Sequence, residues 1–91
     1  MKDRLKVTIE PVKVRITSEP YALFVNKQYV AVIDVHELKQ RRDCYLIISP
    51  VSLSFSLNHI ANESGGTLTH TEIWINKESE EKYAKYLVEL A

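Results

Sequence analysis

The sequence predicts an α+β domain: a mainly antiparallel sheet of about five to six strands, with a C-terminal helix and one earlier helix packed on it. Three observations lead there. Tyr21–Val35 is the densest run of β-branched and aromatic residues in the chain, broken only by the polar pair Asn26-Lys27. Leu5–Thr17 alternates apolar and polar residues on both sides of Pro11. Tyr83, Tyr86, Leu87 and Leu90 fall at the i, i+3, i+4, i+7 spacing of an amphipathic helix.

The totals bound the class. Ninety-one residues make a single small domain with a modest core. The apolar share, 45%, is too high for a disordered chain, and the 26% of charged residues suffices for a polar surface. Twelve basic residues balance twelve acidic ones, so no overall positive field draws in a polyanion. The halves differ, however: residues 1–45 carry nine Lys/Arg against six Asp/Glu, and residues 46–91 carry three against six. Such a split allows one basic face, or complementary contacts between subunits. The single cysteine, Cys44, excludes an internal disulfide and fits a reducing compartment. Met1–Lys6 is charged with no apolar stretch after it, so the expected location is cytoplasmic, with no membrane span.

Taken in order, Leu5–Glu10 and Val12–Thr17 read as half-buried strands, with Leu5, Val7, Ile9, Val12, Val14 and Ile16 inward and Arg4, Lys6, Lys13 and Arg15 outward. Pro11 marks a bulge or a connection between them. Ser18-Glu19-Pro20 is a turn. Tyr21–Val25 and Gln28–Asp34 form a hairpin, and the consecutive Val30, Ala31, Val32 and Ile33 predict a strand covered on both faces, hence central. Asn26 suits a two-residue type I′ turn and Lys27 suits it less; a longer loop is the alternative. In Asp34–Asp43, Asp34 and Glu37 resemble a capping box, so a single helical turn competes with a plain loop. Cys44–Ile48 is a short apolar strand.

Pro50–Ser64 is ambiguous, because Val51, Leu53, Phe55 and Leu57 alternate with serines as in a strand. Helix is the expectation, since Ser49 can cap, Pro50 suits a first helical position, Leu53, Leu57, Ile60 and Ala61 keep helical spacing, and Gly65-Gly66 supply a stop. Thr67–Asn76 is expected as a strand with Ile73 and Ile75 on one face and Trp74 on the other. The last expected element is a helix over about Glu78–Leu90, with Glu78, Glu80 and Glu81 at its positive end.

For chemistry the sequence offers little. His36, His59, His70 and Cys44 stand at no metal-ligand spacing, so no metal is expected. Cys44 lies in an apolar run and reads as packing rather than nucleophile, and no catalytic residue is assigned. Two adjacent glycines cannot build a phosphate-binding loop, and no cofactor is expected. The leading functional expectation is a non-enzymatic binder of single-stranded nucleic acid. In it Arg4, Lys6, Lys13, Arg15, Arg41 and Arg42 neutralise phosphates, while Tyr21 and Tyr29 stack bases. The alternative is a homodimeric adaptor or regulator that recognises another protein through a sheet edge, with Trp74, Phe55 and the tyrosines as contact residues. A small enzyme ranks third.

Overall fold

The computed structural model describes residues 3–91. The elements follow as β1 (Asp3–Arg4), β2 (Val12–Ile16), β3 (Tyr21–Val25), β4 (Gln28–Glu37), β5 (Arg42–Ile47), α1 (Val51–Glu63), β6 (Glu72–Lys77) and β7 (Tyr86–Leu90). The seven strands of the described residues form one sheet in the order β1-β5-β4-β2-β6-β7, with β3 added along β4. All pairings are antiparallel except β1 with β5. The α+β class and the mainly antiparallel sheet are as expected, with more strands and one helix fewer.

β4 organises the sheet. One of its edges pairs with β5 from Val32↔Ile47 to Glu37↔Arg42. The other pairs with β3 over Gln28–Val32 and with β2 over Val35–Glu37. Flanked on both sides, Val32 and Ile33 are fully buried. The β3–β4 turn holds both Asn26 and Lys27 at positive φ, 50° and 64°, which is the two-residue type I′ geometry.

Strand alternation separates the two faces of the sheet. Val14, Ile16, Ile33, Val35, Cys44, Leu46, Ile73 and Ile75 point to the core, where Leu53, Leu57 and Ile60 of α1 meet them. Each such large side chain contributes roughly 1.5–3 kcal/mol by leaving water. Lys13, Arg15, Asp34, His36, Tyr45, Glu72 and Trp74 take the opposite, open face.

The ambiguous segment is helix α1, and its period-two alternation is two helical stripes seen together. Leu53 and Leu57, four apart, face the core; Val51 and Phe55, also four apart, face outward at 84% and 76% exposure. The cap lies one residue later than expected: Pro50, not Ser49, is the N-cap, and no side-chain hydrogen bond caps the helix. At the far end Gly65 has φ of 79°, and the Gly66 amide donates to the Ala61 carbonyl at 2.7 Å, closing a Schellman turn.

Four expectations are corrected. Glu78–Leu90 is not a helix: residues 78–85 form turns, and β7 pairs with β6 from Lys77↔Tyr86 to Ile73↔Leu90. Tyr86, Leu87 and Val88 favour strands, and pairing satisfies the edge of β6, which a helix would leave open. The outer edge of β7 lies against α1, where the Tyr86 amide donates to Ser52 Oγ at 3.1 Å. Asp34–Asp43 contains neither a helical turn nor a full loop, since β4 runs on to Glu37 and turns through residues 38–41, with Arg41 at φ of 52°.

The strand expected over Thr67–Asn76 begins only at Glu72. Upstream, the Glu19 carboxylate accepts the amide hydrogens of Leu68 and Thr69 and so removes them from any ladder. Finally, Leu5–Glu10 is no strand. The Leu5 amide donates to the Tyr45 carbonyl and the Lys77 amide to the Thr8 carbonyl, so this segment crosses from the β5 side to β6. Leu5 is buried and Val7 packs against the core as it crosses, whereas Ile9, expected inward, is 44% exposed.

Candidate interaction groove

The basic residues singled out in the sequence occupy separate places. Lys13 and Arg15 lie together on the open face of β2, and one carboxylate answers both. Lys13 Nζ stands 3.6 Å from Glu72 Oε1, while Arg15 donates from Nε and Nη2 to Glu72 Oε2 at 3.2 and 3.1 Å. Arg42 shares the core side of the sheet with Glu37 and donates from Nε to its buried carboxylate at 2.8 Å. Arg41 is an exposed turn residue. Arg4, on β1, is separated from β2 by β5 and β4, and Lys6 follows it in the crossing segment. The two tyrosines are also apart. Tyr21 donates its hydroxyl to Asp34 Oδ1 at 2.6 Å; that bond, with burial, pushes the phenol up to about 12. Tyr29 is 76% exposed near the β3–β4 tip, its ring 5.0 Å from that of Phe24.

The open face carries one further pair. His36 Nδ1 and Asp43 Oδ1 are 2.9 Å apart across β4 and β5. No nucleophile belongs to this pair. Cys44 faces the opposite side, fully buried, and desolvation raises its thiol above the ordinary value. Among the described residues no three His, Cys, Asp or Glu side chains gather as a metal site. No helix among the described residues is long and apolar enough to cross a membrane.

A wide concavity lies elsewhere, where the β3–β4 tip, the end of β5, the start of α1 and the segment before β7 meet. It measures about 1050 Å³. Val25, Val30, Ile47, Val51, Phe55 and Tyr83 supply its apolar wall. Three of these are strongly exposed for their type: Val51, Phe55 and Tyr83 show 84%, 76% and 88% of their surface to solvent. Among the described residues Arg4, Lys82 and Lys85 are its charged ones, and no acidic residue lines it. Lys82 Nζ lies 5.5 Å from the Tyr83 ring centroid, a cation–π arrangement within the wall. Open apolar walls with a cationic rim suit a partner surface or segment.

No protein-family model matches this chain, and no curated protein or solved structure is significantly similar to it.

Of the residues read from the sequence as nucleic-acid-binding positions, only Arg4 lines this groove; of the contact residues named for the adaptor reading, Phe55, Tyr83 and Tyr86 line it. Phe55 was legible as an aromatic of contact type. Its outward direction follows once α1 is a helix, because Leu53 and Leu57 then take the inner stripe. Tyr83 was legible only as one of the tyrosines of contact type, and Lys82 and Lys85 carried no signal of their own, because this stretch satisfies the pattern of a C-terminal helix.

Proposed function

We propose that the protein is a non-enzymatic protein-interaction module that receives a segment of another protein in the groove between the β3–β4 tip, α1 and the residues before β7. The observation that supports this reading is the convergence of Val51, Phe55 and Tyr83, exposed and apolar, from two distant parts of the chain on one concavity. Exposed apolar patches of this kind, rimmed by polar residues, mark interaction surfaces. In this reading the protein works in the cytoplasm, where its single cysteine stays reduced. Self-association through the same groove is the homodimeric form of the reading.

The test is a selection of peptides on the folded protein, repeated on the Phe55→Asp variant. Phe55 is exposed, so the far-UV circular dichroism should not change. Peptides that bind the wild type and lose at least most of their affinity for the variant support the reading. Peptides that bind both alike, or a selection that yields none, defeat it.

The second reading is the single-stranded nucleic-acid binder. It is favoured by Trp74, 42% exposed and directly across from Lys13 on the open face, with Arg15 on the same strand as Lys13. A base could stack on the indole while the neighbouring cations meet phosphates. Fluorescence anisotropy of a labelled mixed-sequence single strand, at low and at moderate salt, tests it: micromolar binding that weakens steeply with salt supports it, and no binding at low salt removes it.

A further inference from the structure

We propose that the groove takes an acidic amphipathic segment of a partner protein, its apolar side chains on Val51, Phe55 and Tyr83 and its carboxylates toward Arg4, Lys82 and Lys85. The proposal rests on the protein-interaction reading of the same groove and names the chemistry of its partner.

Charge carries the inference. The chain as a whole is neutral, yet among the described residues this concavity is lined by three cations and no acidic residue. Two of them, Lys82 and Lys85, are among the three basic residues of a C-terminal half that is otherwise acidic. Glu78, Glu80 and Glu81 immediately precede Lys82, and none of them lines the groove. The contrast with the rest of the sheet is direct. Lys13 and Arg15 are answered by Glu72, and Arg42 by Glu37. Arg4, Lys82 and Lys85 form no ion pair with any described residue.

The start of α1 adds to the same sign. Pro50 and Val51 both line the groove, no side chain caps this end, and its first turn holds no acidic residue. The positive end of the helix dipole therefore stands uncompensated beside the cations. Low-dielectric apolar walls strengthen a potential of this kind.

The shape decides between an enclosed small anion and a segment of chain. A small-molecule site encloses most of its ligand in about 300–1,000 Å³. Here Val51, Phe55 and Tyr83 are more than three-quarters exposed, so they form a wall open to solvent rather than an enclosure. An extended or helical segment laid across that wall covers Val51, Phe55 and Tyr83 together.

The test uses the full chain and two labelled short peptides of one design. The first alternates Leu and Phe with Glu; the second replaces every Glu by Gln. Anisotropy is read at low and at physiological salt, on the wild type, on Phe55→Asp and on Lys82→Glu with Lys85→Glu, each checked by far-UV circular dichroism. The expected result is that the acidic peptide binds roughly tenfold tighter than its amide counterpart at low salt. That preference should shrink with salt, vanish in the double charge reversal, and be accompanied by loss of all binding in Phe55→Asp.

Equal binding of both peptides, lost in Phe55→Asp, overturns the acidic partner and leaves the groove reading standing. Binding by neither peptide, or binding of the acidic peptide that survives Phe55→Asp, overturns the proposal at this site. Displacement of the acidic peptide by a single-stranded oligonucleotide at lower concentration than by unlabelled peptide overturns it in favour of nucleic acid. A wild-type mass of two chains in light scattering, reduced to one by the charge reversal, overturns it in favour of a second copy.

Discussion

Arg15 and Glu72 face each other across β2 and β6, and the guanidinium donates twice to one carboxylate oxygen, at 3.2 and 3.1 Å. Lys13 completes the cluster from the same strand. The open face of β2 is thus basic by sequence and nearly balanced in charge. Glu72→Gln releases both cations. On the nucleic-acid reading, oligonucleotide affinity should rise and the salt slope should steepen by roughly 1.4, the contribution of two phosphate contacts on a single strand. An unchanged slope would show that this face meets no phosphates. The pairs are solvent-exposed, so stability should fall by only about 0.2–1 kcal/mol, read by urea denaturation.

Glu19 holds the segment before β6. Its carboxylate accepts the Thr69 hydroxyl and amide, the Thr67 hydroxyl at 3.0 Å and the Leu68 amide at 3.0 Å. These bonds, those from Thr69 foremost, hold the carboxyl at about 2, well below its ordinary 4.5. A depressed folded-state value means the stabilisation is complete above the unfolded value and is lost as pH falls from about 4.5 toward about 2. Glu19→Gln should therefore lower the urea midpoint at pH 7, and the gap to wild type should close near pH 2. A constant gap across that range would mean that the charge of Glu19 is not what fastens the loop.

Lys27 occupies a left-handed backbone position, φ of 64°, in the β3–β4 turn. A non-glycine residue there costs about 1–2 kcal/mol, which glycine does not incur. Lys27→Gly should stabilise the fold by about 0.5–1 kcal/mol after the extra freedom it gives the unfolded chain. A destabilised variant in thermal or urea unfolding would mean that the Lys27 side chain makes a contact that outweighs the strain.

α1 offers an internal control for the two stripes. Leu53 is fully buried and Phe55, two residues on, is 76% exposed. Leu53→Ala should cost about 2–5 kcal/mol. Phe55→Ala should stay within about 0.5 kcal/mol while removing the main aromatic of the groove. Equal losses would place both side chains in the core and dissolve the groove as a site.

Much of the sheet was legible in the chain. The alternation of Val12–Ile16, the turn chemistry of Asn26-Lys27 and the apolar run through Ile33 each follow from the nearest few residues, and each element formed. The α1 stop was equally local, because Gly65 and Gly66 supply the positive φ that a Schellman turn requires. The last segment was not legible, because Tyr83, Tyr86, Leu87 and Leu90 satisfy a helix pattern while Tyr86–Leu90 also satisfies a strand. The site was less legible still. Lys82 and Lys85 looked ordinary, and Lys13, Arg15 and Arg42, which looked functional, proved to be paired.

By itself, then, the sequence determined the α+β class, the central hairpin, the inward stripe of α1 and the outward direction of Lys13 and Arg15, all set by backbone periodicity over a few residues. Tertiary structure decided the rest. It made 86–90 a strand by offering it the edge of β6, and it drew 67–69 out of the ladder through Glu19, some fifty residues away. It also neutralised Arg15 through Glu72, fifty-seven residues on, and left Arg4, Lys82 and Lys85 on one groove with no ion-pair partner among the described residues. The physical reason is one of range. Periodicity acts over a turn or a strand, whereas the pairing of edges and charges depends on which distant residues the fold brings within hydrogen-bond reach.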